Sequence, residues 1–212
     1  METVATEEPA PRAGPPVRDR NMIASRPRGF LAIELLAVIF TIACVWLTAK
    51  EHILCWPTGI IGCLLYMYVF WVARLYSDVL LQVYFFVTSV WGWYNWLHGG
   101  TDAGELAISR LTWGGMAGWV VVTVAGICVL GTIMKRRTRA ALPFLDATTT
   151  VMSLVAQYLL GCKILENWMV WIAADVLDTG IYLRRKLYLT SVLYAILLVL
   201  AVMGLCEWWG KM

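Results

Sequence analysis

Residues 74–96 read RLYSDVLLQVYFFVTSVWGWYNW, and residues 186–208 read KLYLTSVLYAILLVLAVMGLCEW. Each opens on a basic residue, Leu and Tyr, and each closes on Gly-x-x-x-Trp. A helix crossing the hydrocarbon core needs about 20 mostly apolar residues, and both stretches supply them. The two lie 112 positions apart, and the same shift carries further. Glu34 falls on Asp146, Trp46 on Tyr158, Trp56 on Trp168, Gly92 on Gly204 and Trp96 on Trp208. Single matches mean little in a chain with 12 Trp, but a register held through three apolar stretches points to an internal repeat. The competing explanation is that membrane helices resemble one another and share aromatic belts.

The remaining composition agrees with a membrane location. Apolar residues make up 60% of the 212, charged residues 15%, and mean hydropathy is +0.70. Soluble domains sit nearer half apolar and a quarter charged, so this chain has too few charges to coat a globule. Soluble enzymes, disordered chains and nucleic-acid binders are excluded on that ground. Seven stretches are long enough to span a bilayer: about 30–49, 53–73, 79–97, 113–134, 142–162, 168–183 and 187–209. They lack the alternation of a barrel strand. The expected fold is an all-α integral membrane protein. Residues 1–29 form a disordered tail, with five Arg, four acids and five Pro. Residues 30–97 form one three-helix repeat and 142–212 the second, joined by 98–141, which holds an outer loop, a fourth helix and a basic loop.

Charge sets the orientation. With seven spans, the loops on the N-terminal side hold 13 of the 17 basic residues, including Arg74, Lys135–Arg137 and Arg184–Lys186. Lys and Arg accumulate on the cytoplasmic side, which places the N-terminus inside and the C-terminus outside. An odd linking helix starts both copies on the same side, so the repeats are parallel. That 3+1+3 arrangement is the one found in SWEET sugar transporters.

Polar residues inside a bilayer are costly and usually face a cavity or each other. Gln82, Phe85, Ser89, Trp93 and Trp96 share one helical face of the third span. Asp146, Thr149, Ser153 and Gln157 do so on the fifth. Asn167, Trp171, Asp175, Asp178, Tyr182 and Lys186 nearly do so on the sixth. Two aromatic-amide faces and an acidic one suit a flat, hydroxylated small molecule, cationic or neutral, because Trp stacks on rings and attracts cations. Plainer roles compete with this. Trp93, Trp96, Trp208 and Trp209 also suit interfacial anchors, and the hydroxyls of span five also suit helix packing. Asp175 and Asp178 could pair with Arg184 or Lys186, and Glu34 with Asp146. No HExxH, Ser-His-Asp setting or Walker loop is present, so neither catalysis nor a cofactor is expected. The six Cys are scattered, with no CxxC; a Cys55–Cys162 bridge is the one pairing to check.

Asn167-Trp168-Met169-Val170-Trp171, followed by Tyr182-x-x-x-Lys186, resembles the Asn-Trp-x-x-Trp…Lys signature of the PnuC nicotinamide riboside transporters. Gln82 with Trp93-Tyr94-Asn95-Trp96 is similar to that family's Gln…Trp-x-x-Trp signature, and Trp56-Pro57-Thr58-Gly59 also fits. The resemblance spans about residues 30–209. It implies a bacterial inner-membrane uniporter that carries nicotinamide riboside for NAD synthesis, homotrimers, and trapping of the ligand by a cytoplasmic kinase. It also implies substrate contacts at Gln82, Trp93, Trp96, Asn167, Trp168, Trp171, Tyr182 and Lys186, to which the polar faces add Phe85, Ser89, Thr149, Gln157 and Asp175 as expected contacts. The alternatives are the same machine carrying thiamine or another vitamin, and a non-transporting scaffold or receptor.

Overall fold

The structure, a computed structural model, describes residues 29–101, 104–137, 142–184, 186 and 188–212. The expected disordered tail, apart from Gly29, lies outside the described residues, as do Arg139 and Arg185 of the basic loops. Among the described residues the chain forms seven α-helices. These are α1 Phe30–Ala49, α2 Cys55–Val72, α3 Tyr76–His98, α4 Trp113–Arg137, α5 Pro143–Gly161, α6 Asn167–Arg184 and α7 Tyr188–Gly210. They fall on the seven apolar stretches, with every boundary within three residues. By length and composition α1, α2, α4 and α7 can cross a membrane. The three that carry the polar stripes, α3, α5 and α6, are not among these.

The 112-residue register recurs in the backbone. Helices α2 and α6 start and stop 112 positions apart, and so do α3 and α7. Four non-glycine residues adopt left-handed backbone in the same register: Glu51 (φ 56°) with Lys163 (φ 54°), and Arg74 with Lys186 (both φ 58°). Each closes the helix before it. Glu51 N–H donates to Thr48 O and His52 N–H to Leu47 O; Lys163 N–H donates to Leu160 O and Ile164 N–H to Leu159 O. These are Schellman turns, whose left-handed position glycine usually fills. Consecutive helices pack as α1–α2–α3 and α5–α6–α7, with α4 against α5. The two groups meet where α3 lies on α5 and α7 lies on α1.

A tryptophan core sits at the end of the molecule that carries the C-terminus. Trp56 and Trp96 meet edge to face at 5.2 Å, Trp168 and Trp208 likewise at 5.5 Å, and Trp96 joins Trp208 at 5.8 Å. All four are at most 3% exposed. Glycine makes room for them: a Cβ on Gly92 would meet the Trp56 ring at 2.3 Å, and one on Gly204 the Trp168 ring at 2.5 Å. Trp208 is therefore a core residue, which corrects its reading as an interfacial anchor; its neighbour Trp209 is 55% exposed, with the Arg110 guanidinium 4.6 Å over its ring. All six cysteines are free thiols, so Cys55 and Cys162 are not bridged.

Above this core lies a layer of ion pairs. Glu51 accepts from Lys163 at 3.0 Å and Lys211 at 2.8 Å, and the Lys163 ammonium sits 4.8 Å over the Trp96 ring. Lys50 pairs with Glu207, and Arg110 with Glu166 at 3.5 Å. The segment 104–112 crosses the layer. Its Leu106 N–H donates to Trp96 O, and Ser109 exchanges backbone hydrogen bonds with Lys163 and Leu165. Leu106 and Ile108 pack on the tryptophan core beneath.

Two predictions follow from this packing. Gly92→Ala and Gly204→Ala should each destabilise by about 1–3 kcal/mol through overpacking. Gly118→Ala, with nothing within 4 Å, should be neutral or stabilising because alanine is the better helix former. Thermal unfolding of the purified protein ranks the three. For Glu51, burial would raise the carboxyl, but hydrogen bonds and charge from Lys211 and Lys163 outweigh it and hold the group below its ordinary value. A carboxylate depressed in the folded state adds stability above its unfolded pKa and loses it as pH falls through the folded one. Wild type should thus lose unfolding temperature on acidification through the carboxylate range, and Glu51→Gln should show a flatter acid limb.

Candidate functional site

Beneath the tryptophan core, α3, α5 and α6 bring part of the expected set together. Ser89 of α3 is 4% exposed, and Gln157 of α5 donates to its hydroxyl at 3.4 Å. One turn below Ser89, Phe85 faces Trp171 of α6, with ring centroids 6.5 Å apart and tilted by 51°. That separation is near the long end of aromatic contact, so the two rings form a loose pair rather than a packed one. Asp175 follows Trp171 by one helical turn and is 5% exposed. Gln82 lies half-buried one turn below Phe85. The group combines two amides, a hydroxyl, two aromatic faces and a carboxyl group.

Helix α3 is held against α5 by specific bonds. The Tyr84 hydroxyl donates to Leu154 O at 2.8 Å, and the Asn95 amide to Gly161 O at 2.9 Å. Trp91 stacks on Tyr158 at 5.4 Å. These contacts fix the Ser89–Gln157 pair between them. Shifted by 112 residues, Ser89 and Gln157 correspond to Ala201 and Val45, which are apolar. The polar pair thus occurs in only one of the two equivalent places.

Other expected residues occupy different surroundings. Trp96 and Trp168 are buried in the tryptophan core, where the Trp96 indole donates to Leu160 O at 3.0 Å. Asn167 is fully buried at the first turn of α6 and donates to Ile164 O at 2.6 Å; its Oδ1 and the Trp168 Nε1 have no partner. Thr149 bonds Asp146 O within its own helix, and Thr150 and Ser153 do likewise. Span-five hydroxyls commonly satisfy themselves this way. Trp93 is 36% exposed. Tyr182 stacks on Tyr194 at 5.2 Å, and Lys186 is the exposed left-handed residue that ends α6.

Sequence reasoning passed over Tyr84 and Gly59. A side chain at Gly59 would meet Cys44 Sγ at 3.0 Å and approach Ser89 Oγ at 4.0 Å, so α2 closes on the site where glycine permits it. The Trp56-Pro57-Thr58-Gly59 head carried that signal. Tyr84 had none, since a lone Tyr in an aromatic helix does not reveal its acceptor.

Among the described residues, apolar helices long enough to cross a membrane accompany three helices that carry aromatic, amide and acidic groups, and this combination defines a multi-pass membrane protein. The chain belongs to the nicotinamide mononucleotide transporter family, which it matches over residues 31–210. It is 28% identical over 201 residues to the nicotinamide riboside transporter PnuC of Escherichia coli K12, covering 83% of this chain and 84% of that one. The solved crystal structure of the vitamin B3 transporter PnuC is similar to it, with a TM-score of 0.68 and 26% identity, over 90% of this chain and 85% of that one. The riboflavin/roseoflavin transporter RibM of Streptomyces davaonensis is 22% identical over 157 residues, or 73% of each chain. The family is one of membrane transporters, which excludes the scaffold reading.

Trp208, now a core residue, should behave as one. Trp208→Phe keeps most of the packing but loses the bond to Thr48 O at 3.1 Å, for about 0.5–1.5 kcal/mol. Trp208→Ala should cost about 3–5 kcal/mol. Denaturation monitored by size-exclusion elution distinguishes the two.

Proposed function

We propose that this chain carries nicotinamide riboside across a bacterial inner membrane by facilitated diffusion, supplying NAD synthesis. The observation that carries the reading is the loose Phe85–Trp171 pair beside Ser89 and Gln157, found in a member of this transporter family. A pyridinium ring can stack on Trp171 and Phe85, with its charge offset by Asp175. Ribose and carboxamide groups can bond Gln157, Ser89 and Gln82. Asn167, Thr149, Trp93, Trp96, Trp168, Tyr182 and Lys186 belong to the wider candidate set.

The family's name speaks of a mononucleotide and the relatives' names of a riboside. The two ligands differ by a phosphate, whose charge calls for a cationic partner. Among the described residues every Lys and Arg lies at a helix end or in a turn, and the ionisable neighbours of Trp171 on α6 are Asp175 and Asp178. That distribution favours the uncharged ribose end.

The recurrence at 112 residues supports a 3+1+3 parallel-repeat arrangement, with α4 as the linker and the two triplets rocking about the site. The basic bias supports a cytoplasmic N-terminus and a C-terminus outside. Homotrimers and a kinase that phosphorylates the ligand after entry complete the reading. A kinase makes an ion gradient unnecessary, since the phosphorylated product cannot return. The resemblance to a riboflavin/roseoflavin transporter favours a second reading, in which the same machine carries another flat vitamin such as riboflavin or thiamine.

Reconstituted protein should take up labelled riboside with no ion gradient; a requirement for protons or sodium would overturn uniport. In competition binding the riboside should displace thiamine and riboflavin. Trp171→Ala should weaken binding about tenfold or more, from the loss of stacking and cation attraction. Gln157→Leu should weaken it through an unpaired ligand group. The exposed Trp209→Ala should bind like wild type, as calorimetry on folded variants can establish.

A further inference from the structure

Alternating access, on which this inference rests, requires the two triplets to part at the face that carries the C-terminus. Glu51 and Lys163 occupy the same position of the 112-residue register, one in each triplet. Each is the left-handed residue that ends the first helix of its triplet. Glycine would hold that backbone with less strain, because its missing Cβ removes the clash of a left-handed L-residue. The side chains therefore need a reason to be there, and they supply one by meeting each other at 3.0 Å. Two identical residues at these sites would repel. Opposite charges instead tie the triplets together.

The pair is more than a surface contact. Lys163 is 8% exposed and its ammonium also lies over the Trp96 ring, while the Glu51 side chain is 16% exposed. Screened by water less than an exposed pair, the Glu51–Lys163 pair leaves a shielded and uncompensated charge when either partner is removed. It is nonetheless within reach of water, through a cleft of about 380 Å³ lined by Glu51, Ala107, Ile108, Lys211 and Met212. The segment 104–112 does not share the tie equally. Ser109, Arg110 and Leu111 hold Lys163, Leu165 and Glu166 of the second triplet, and Leu106 alone bonds α3 through Trp96 O.

We propose that the Glu51–Lys163 pair is the latch of this face: its rupture lets the face open, with Ser109–Leu111 moving with the second triplet. Cys55 reports on this. It is 2% exposed, lies in the tryptophan core directly under the latch, and is a free thiol. In lipid nanodiscs without ligand, a hydrophilic maleimide should modify wild-type Cys55 slowly, with each cysteine followed separately by peptide mass spectrometry. Glu51→Gln and Lys163→Gln should each speed Cys55 modification by about tenfold or more. The double variant should be no faster than the faster single one, because both changes remove one interaction. Glu51→Gly, which relaxes the backbone, should open the face as Glu51→Gln does. Lys211→Gln, which takes away only Glu51's exposed partner, should have a smaller effect. Unchanged Cys55 rates, single effects that multiply in the double variant, or an equal rise at Cys63 in mid-α2 would each overturn the latch. A chain that failed to carry riboside would leave these rates as they are, so the two failures are distinguishable.

Discussion

Hydrogen-bond satisfaction at two helix ends organises this molecule. The last carbonyls of an α-helix have no partner within it. The turns at Glu51 and Lys163 give Thr48 O and Leu160 O one backbone donor each, and a second lone pair remains on each oxygen. Here α1 and α5 both end against the opposite triplet, and each receives an indole from it. Trp96 donates to Leu160 O at 3.0 Å, and Trp208 to Thr48 O at 3.1 Å. The bonds are reciprocal: α3 of the first triplet caps α5 of the second, and α7 of the second caps α1 of the first. Large indoles must then lie flat between helices, which requires Gly92 and Gly204. The edge-to-face contacts, the ion pairs above them and the crossing segment 104–112 all rest on this arrangement.

Much of this was legible because the bilayer restricts what a sequence can do. Apolar length located the helices, and α1, α2, α5 and α7 end one or two residues before Lys50, Arg74, Lys163 and Lys211. The 112-residue register was legible too, and it already paired Trp96 with Trp208. Assigning one to a ligand site and the other to a belt ignored that equivalence. Aromatic residues near a helix end look alike in sequence whether they face lipid or a neighbouring triplet. Only packing separates Trp208 from Trp209.

The site was legible in part, for a similar reason. Helical spacing placed Gln82, Phe85 and Ser89 on one face, and α5 and α6 supplied Gln157, Trp171 and Asp175. Spacing does not say whether a hydroxyl looks outward or bonds its own helix, so Thr149 was counted with the site although it bonds Asp146 O. Nor does spacing reveal acceptors across helices, which is why Tyr84 escaped notice. The less apolar composition of α3, α5 and α6 was a usable signal. Helices that keep polar stripes within a membrane are those that keep them from lipid.

Two equal halves related by a two-fold rotation would present any ligand with two symmetry-equivalent ways to lie between them. This chain has removed that choice. Where one half offers Ser89 and Gln157, the matching places hold Ala201 and Val45. A solute with a polar end and an apolar end therefore meets one matched and one mismatched orientation. Fusing the halves into a single chain is what allows such divergence, since copies made from one gene must stay identical. The seam between α3 and α5 is thus polar where the equivalent seam between α7 and α1 is apolar.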